Sequence, residues 1–284
     1  MPIRCIKIET YKFYLVFLSL ILAFYPTFQE LYQIWEHPIN KGYSHGLLLS
    51  VVVIFFMYKE LSKEKLLTLD LIYLPIIVFF SILWAVAKVG VIQPIEYFSM
   101  YLVLFTLFGL ITNTGRIWRL YLVLAFVFTI PIWNAFNGVL QSLTAIFSYL
   151  LLKISFIPVQ REGLFLFLPN GNFIVADYCS GLRQQLIALT LISLYAYMNR
   201  LHLKEVSVIL IITVLFAFIL NLIRIYVIIL SGYFTDMTTS LIDDHSVLGW
   251  AIFGVGMASY LYFMNRYFDK LTEQKEPLSN EYKK

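Results

Sequence analysis

A chain of 284 residues that is 60% hydrophobic, 18% aromatic and only 13% charged is far from the composition of soluble domains, which carry about 25% charged and about 45–50% apolar residues. A water-soluble core of this size cannot hide so much apolar surface, so a polytopic membrane protein is expected. The formal net charge of +4 does not argue for a nucleic-acid partner, because the basic residues gather in short loops between apolar runs, as topology signals do.

In chain order, residues 1–12 form a tail carrying Arg4, Lys7 and Lys12. Runs apolar enough to cross a bilayer, about 17–25 residues each, follow near 13–28, 43–58, 69–87, 95–112, 117–133, 182–198, 205–230 and 247–265. The first lacks a small-residue cleavage site and is followed by further spans, so it reads as a retained helix rather than a removed signal peptide. The stretch 134–157 differs: Asn134, Asn137, Gln141, Thr144, Ser148 and Ser155 fall on one helical stripe. That pattern predicts an amphipathic helix lying at the interface or lining a polar cavity. Beyond it, the apolar runs Leu164–Leu168 and Phe173–Ala176 flank Pro169-Asn170-Gly171-Asn172, good β-turn chemistry that predicts a small hairpin.

With eight spans and the N-terminus in the cytoplasm, fifteen of the 21 Lys and Arg residues fall in cytoplasmic segments. A ninth span over 134–157 would place Arg266 to Lys284 outside and spoil the asymmetry. The expected architecture is therefore an all-α integral membrane protein of eight transmembrane helices. It carries one extra amphipathic or interfacial helix and a small extracytoplasmic β-hairpin. A single membrane-embedded domain, 13–265, lies between cytoplasmic tails 1–12 and 266–284.

The cysteines are Cys5 and Cys179, too few for a disulfide framework or a Cys-based metal site; neither metal nor cofactor is expected. Cys179 follows the hairpin and opens a long apolar helix in Cys179-Ser180-Gly181-Leu182-Arg183. A helix N-terminus and a nearby arginine both favour a thiolate, whereas Asp177 opposes it. The alternative is a small buried hydrophobe. Arg224, in Asn221-Leu222-Ile223-Arg224, lies six residues before the outer end of the seventh span at Leu230. A charge there usually faces a bundle interior, although an arginine can also snorkel to the headgroups. Asn221 shares its face and is placed to hold the guanidinium. His245 follows Asp243 and Asp244 just before the eighth span; an aspartate there suits a helix cap, and the nearby Asp244 favours an imidazolium. The topology puts Cys179, Arg224 and His245 at one extracytoplasmic level. Cys and His make a nucleophile–base pair for acyl transfer, and a fixed guanidinium suits an oxyanion.

These residues, with Asn221-x-x-Arg224, His245-x-x-x-Gly249 and Tyr43-Ser44-His45-Gly46 opening the second span, resemble the exosortase/archaeosortase family of membrane cysteine transpeptidases over about 30–265. The resemblance implies an enzyme of the plasma (inner) membrane that cuts a C-terminal sorting tail from exported proteins. Such a tail consists of a short motif such as Pro-Glu-Pro, an apolar helix and a basic end; the product passes to a further acceptor. It makes Cys179 the nucleophile, Arg224 the essential arginine and His245 the third member, with Arg183, Asn221, Asp244 and His45 in support. Implied partners are the tailed proteins and membrane lipids. Tyr178 departs from the family, where Ala commonly precedes the Cys, which bears on the subfamily and its motif. The edge of the hairpin could pair with an extended substrate. Rival readings are a hydrolase that releases its product to water, and a transporter of polysaccharide or lipid-linked substrates.

Overall fold

The computed structural model describes residues 5–36, 43–63, 65–111, 116–238 and 246–281. They divide into two compact units, Met1–Val139 with Gln185–Val214, and Leu140–Gln184 with Leu215–Lys284.

The first unit holds α1 (Thr10–Ala23), α2 (Tyr25–Glu36), α3 (Gly46–Leu61), α4 (Leu74–Val89), α5 (Gln93–Gly109) and α6 (Arg116–Val127). The strands β1 (Cys5–Glu9) and β2 (Leu66–Asp70) pair antiparallel. The Thr10 N–H donates to the Lys65 carbonyl at 3.0 Å, and the Asp70 N–H to that of Leu110 at 2.8 Å. The start of α1, the segment after α3 and the end of α5 therefore meet. Away from this junction α1 and α2 are bent by 71°, and Trp35 Nε1 donates to the Thr129 carbonyl at 2.9 Å. Buried Glu96 accepts from Thr27 Oγ1 and Lys88 Nζ, and Lys88 also bridges to Glu30. A carboxylate this deep is tolerable because it is paired and hydrogen-bonded.

Outward, the helices present the wrong surface for water. On α4, Val78, Phe79, Ile82 and Val86 are all exposed, a contiguous apolar face of the kind that marks contact with lipid or a partner. Among the described residues, four helices are long and apolar enough to cross a membrane: Leu71–Val89, Pro131–Ile154, Leu203–Phe234 and Val247–Phe268, or up to five if the bent pair α1–α2 is one span. This falls short of the eight expected, because α3, α5, α6 and the helix that follows Cys179 run only 12 to 17 residues.

The second unit is built on α7 (Asn137–Ile154) from Leu140 onward, the three-stranded sheet β3 (Gln160–Glu162), β4 (Phe165–Leu168) and β5 (Gly171–Ile174), the start of α8 (Leu182–Met198), α9 (Leu203–Phe234) from Leu215, and α10 (Ser246–Glu281). The sheet is antiparallel in the order β3-β4-β5. Leu166, Val175, Cys179, Ile225 and Ile229 share a core with Ala145 and Leu152 of α7. The stretch 134–157 was expected at the interface or lining a polar cavity. Residues 134–154 of it fall in a helical stretch that is long and apolar enough to cross a membrane, and Gln141, Thr144 and Ser148 are buried. Gln141 Nε2 donates to the Val175 carbonyl at 3.1 Å and to Asp177 Oδ1 at 2.8 Å. The polar stripe serves the protein's own backbone rather than headgroups, a use of polar residues that periodicity cannot tell from an interfacial one.

Candidate active site

The approach to Cys179 is held at both ends. In β4 the alternation Phe165-Leu166-Phe167-Leu168 turns Leu166 and Leu168 into the core, as a strand's two-residue period requires. The β4–β5 turn is fixed by Asn170, whose Nδ2 donates to the Tyr233 carbonyl at 3.0 Å and to Asp236 Oδ1 at 2.7 Å, tying the hairpin to the end of α9. A short 3-10 turn, Asp177–Cys179, follows, with the Cys179 N–H on the Ala176 carbonyl at 2.8 Å.

Gly181 separates this turn from α8. Its φ is +83°, a left-handed conformation that favours glycine. A Cβ there would lie 2.7 Å from the Asn221 side chain. The Ser180 Oγ accepts from the Leu182 N–H at 3.2 Å, so Ser180, not Cys179, occupies the N-terminus of α8. Asn221 Nδ2 donates to the Cys179 carbonyl at 3.0 Å. Asn221 thus fixes the cysteine backbone and not, as its place on the helix suggested, the guanidinium. Its Oδ1 has no hydrogen-bond partner among the described residues.

Arg224 is 7% exposed, and its Nε has no hydrogen-bond partner among the described residues. Gly249 of α10 makes the room for it: a Cβ at Gly249 would stand 2.7 Å from Arg224 Nε and 3.0 Å from Cζ. A buried, incompletely paired arginine costs several kcal/mol. Arg224 also lies ten residues before the end of α9 at Phe234, deeper than the six counted to Leu230. Arg183 stacks its guanidinium 5.0 Å from the Trp250 ring centre, a cation–π contact that holds it against α10.

Cys179 is buried but opens onto a cavity of about 200 Å³ that is also lined by Tyr178, by residues 172–175 and by Ile225, Ile228 and Ile229. Burial pushes its thiol up from the ordinary value, while the Arg224 charge pulls the other way. The sequence predicted a lowered value. The difference is physical: the sulfur sits in an apolar core, which disfavours the thiolate, and outside the first turn of α8.

Cys179, Arg183, Asn221 and Arg224 belong to one unit, whereas His45 belongs to the other. There it is buried, with its Nε2 3.4 Å from the Phe128 carbonyl and its ring stacked on Tyr43. His245 and Asp244 lie outside the described residues. Sequence reasoning placed Asn170 in a turn and Gly249 in a motif without seeing their contacts, and gave no role to the three isoleucines. The spacing Asn221, Ile225, Ile228 and Ile229, recurring at three and four, was the available signal that they share a face with the arginine's helix turn.

The sequence model of one family, transmembrane exosortase, matches residues 35–262. No curated protein and no solved structure matches the chain.

The opposed effects of burial and Arg224 on Cys179 can be measured. In a Cys5→Ala background, alkylation of Cys179 against pH is expected to show a midpoint above that of a free thiol, and Arg224→Gln should move it higher still, because the lost cation had favoured the thiolate. A midpoint unmoved by Arg224→Gln would show that the two groups do not communicate.

Proposed function

The chain belongs to the transmembrane exosortase family, and from that premise we propose that it cleaves the C-terminal sorting tail of exported proteins through a thioester on Cys179 and passes them to a further acceptor. The observation that carries this reading is the opening of Cys179 onto a cavity beside the buried Arg224, whose Nε has no hydrogen-bond partner among the described residues. His245 takes the proton of the Cys179 thiol as the sulfur attacks the scissile carbonyl and forms a C–S bond. Arg224 donates to the oxyanion, an interaction that strengthens as charge develops. The C–N bond then breaks, and the tail leaves as an amine with a proton from His245. A nucleophilic acceptor attacks the thioester, returns a proton to His245 and frees the thiolate.

In this scheme Asn221 and Gly181 keep the cysteine backbone in place, Arg183 adds positive charge, Asp244 supports the imidazolium and His45 takes no chemical step. Hydrolysis would share the thioester and differ only in the acceptor. Nothing favours the transporter reading, since Gln141, Thr144 and Ser148 are buried rather than lining a path.

The reaction takes place on the extracytoplasmic side of the plasma membrane, with eight crossings, α7 not among them, and both termini in the cytoplasm. The β1–β2 pairing and the Asp70–Leu110 bond fit two crossings before β2 and two between β2 and the end of α5, because paired segments on one side require an even number of crossings between them. Short spans such as α6 are expected where neighbouring helices or bilayer thinning cover the mismatch.

Cys179→Ala is expected to abolish processing of a tailed substrate in cells, while Cys5→Ala has little effect. Arg224→Lys should insert normally yet lose on the order of a hundredfold in activity, since lysine cannot present a planar pair of donors. Normal cleavage by Cys179→Ala would refute the enzyme reading.

The sidedness has its own check. In spheroplasts a membrane-impermeant maleimide should spare Cys5 and label Cys179 to the extent that the cavity admits it. Labelling of Cys5 alone would overturn the proposed orientation.

A further inference from the structure

The cavity beside Cys179 also bears on which peptides the site accepts. Four consecutive residues, Asn172 to Val175, border it. Side chains alternate across a strand, so a run of four means that the strand's backbone edge, and not just one of its faces, meets the cavity. The Val175 N–H donates to the Leu164 carbonyl at 3.0 Å, in register with the pairs Leu166–Phe173 and Leu168–Gly171. Because antiparallel ladders alternate, residues 171, 173 and 175 face β4, and Asn172 and Ile174 turn their N–H and C=O groups to the other edge. No strand covers that edge among the described residues. The Ile174 carbonyl is taken by the Ala176 N–H at 3.0 Å. What is left for a partner is the N–H and C=O of Asn172 and the N–H of Ile174, the spacing of one extended peptide.

Apart from Asn172, Tyr178 and Cys179, the side chains of the wall are apolar. Ile225, Ile228 and Ile229 come from one face of α9 and meet Val175 and Phe173 there. Among the described residues no charged side chain lines the cavity, so a charged guest would lose its water without an ion pair in exchange. A dry apolar cavity of about 150 Å³ holds benzene, so the about 200 Å³ here is room for a side chain as large as Leu or Phe.

Resting on the function proposed above, we infer that the substrate runs as an added strand on the free edge of β5, and that the cavity bounded by Ile225, Ile228 and Ile229 receives a large apolar side chain from the residue whose carbonyl Cys179 attacks. That residue is the one within reach, because Cys179 itself forms part of the wall. Backbone pairing would supply binding whatever the sequence, and the cavity would supply selectivity.

The full-length protein in nanodiscs, in a Cys5→Ala background, can be treated with tripeptidyl chloromethyl ketones acetyl-Ala-Ala-X in which X is Leu, Ala, Asp or Lys. The rate of Cys179 alkylation is read by intact mass. Leu should exceed Ala by at least tenfold, as apolar pockets discriminate missing methylenes, and should exceed Asp and Lys by more. Ile228→Phe, which fills the cavity, should bring the Leu-to-Ala ratio close to one. The ratio is internally normalised, so a partly folded variant lowers both rates and leaves it readable. N-methylation of the peptide's backbone nitrogens should slow the Leu probe at least tenfold if strand pairing holds it. Equal rates for Leu and Asp, or a Leu-to-Ala ratio unchanged by Ile228→Phe, would overturn the pocket. A Leu probe indifferent to N-methylation would overturn the added strand. None of these outcomes touches the proposed reaction, which fails separately if Cys179→Ala processes substrate normally.

Discussion

Arg224 sets the terms for everything around it. Its guanidinium is buried inside a long apolar helix, and among the described residues its Nε makes no hydrogen bond. Membrane proteins keep such a charge only where it faces the protein interior and has a task. The neighbourhood is cut to fit it: Gly249 has no side chain because a single carbon there would overlap Arg224. A cation with no ion-pair partner among the described residues suits the proposed reaction, in which an anion appears first as a thiolate and then as an oxyanion.

Cys179 is the complementary half of the same design. Its burial raises the thiol and so protects it as a neutral group, against the pull of Arg224. In the proposed reaction the balance tips when a substrate fills the cavity and brings a carbonyl to the sulfur, since the charge then spreads onto an oxygen that Arg224 can meet. The backbone around the sulfur is held from three directions, by Gln141 on Asp177, by Asn221 on the Cys179 carbonyl, and by Asn170 at the far end of the hairpin. Rigid placement of a nucleophile matters because misplacement by about 1 Å can cost on the order of a hundredfold in rate.

Much of this was legible in the residues. The apolar runs, the Asn170-Gly171 turn and the grouping of Cys179, Asn221 and Arg224 all follow from spacing and residue type. What escaped depended on contacts distant in sequence. The direction of the thiol's shift is decided by α7, the hairpin and α9 closing over Cys179, which no local motif reports. The stripe through Gln141 and Thr144 has the same period whether it faces headgroups or a loop. The role of Gly249 is invisible without Arg224 beside it. The span count suffers from a different limit: several helices are shorter than their apolar runs, so hydropathy overstates the membrane-crossing helix.

The central claim is that a covalent bond forms between Cys179 and the processed protein. The most direct measurement is intact mass spectrometry of the purified protein, rapidly acid-quenched during turnover of a tailed substrate and then treated with hydroxylamine. The account predicts an adduct on Cys179 with the mass of the substrate lacking its tail, released by hydroxylamine as the hydroxamate. Turnover that proceeds with Cys179 unmodified at every time point, and yields no hydroxamate, would contradict it.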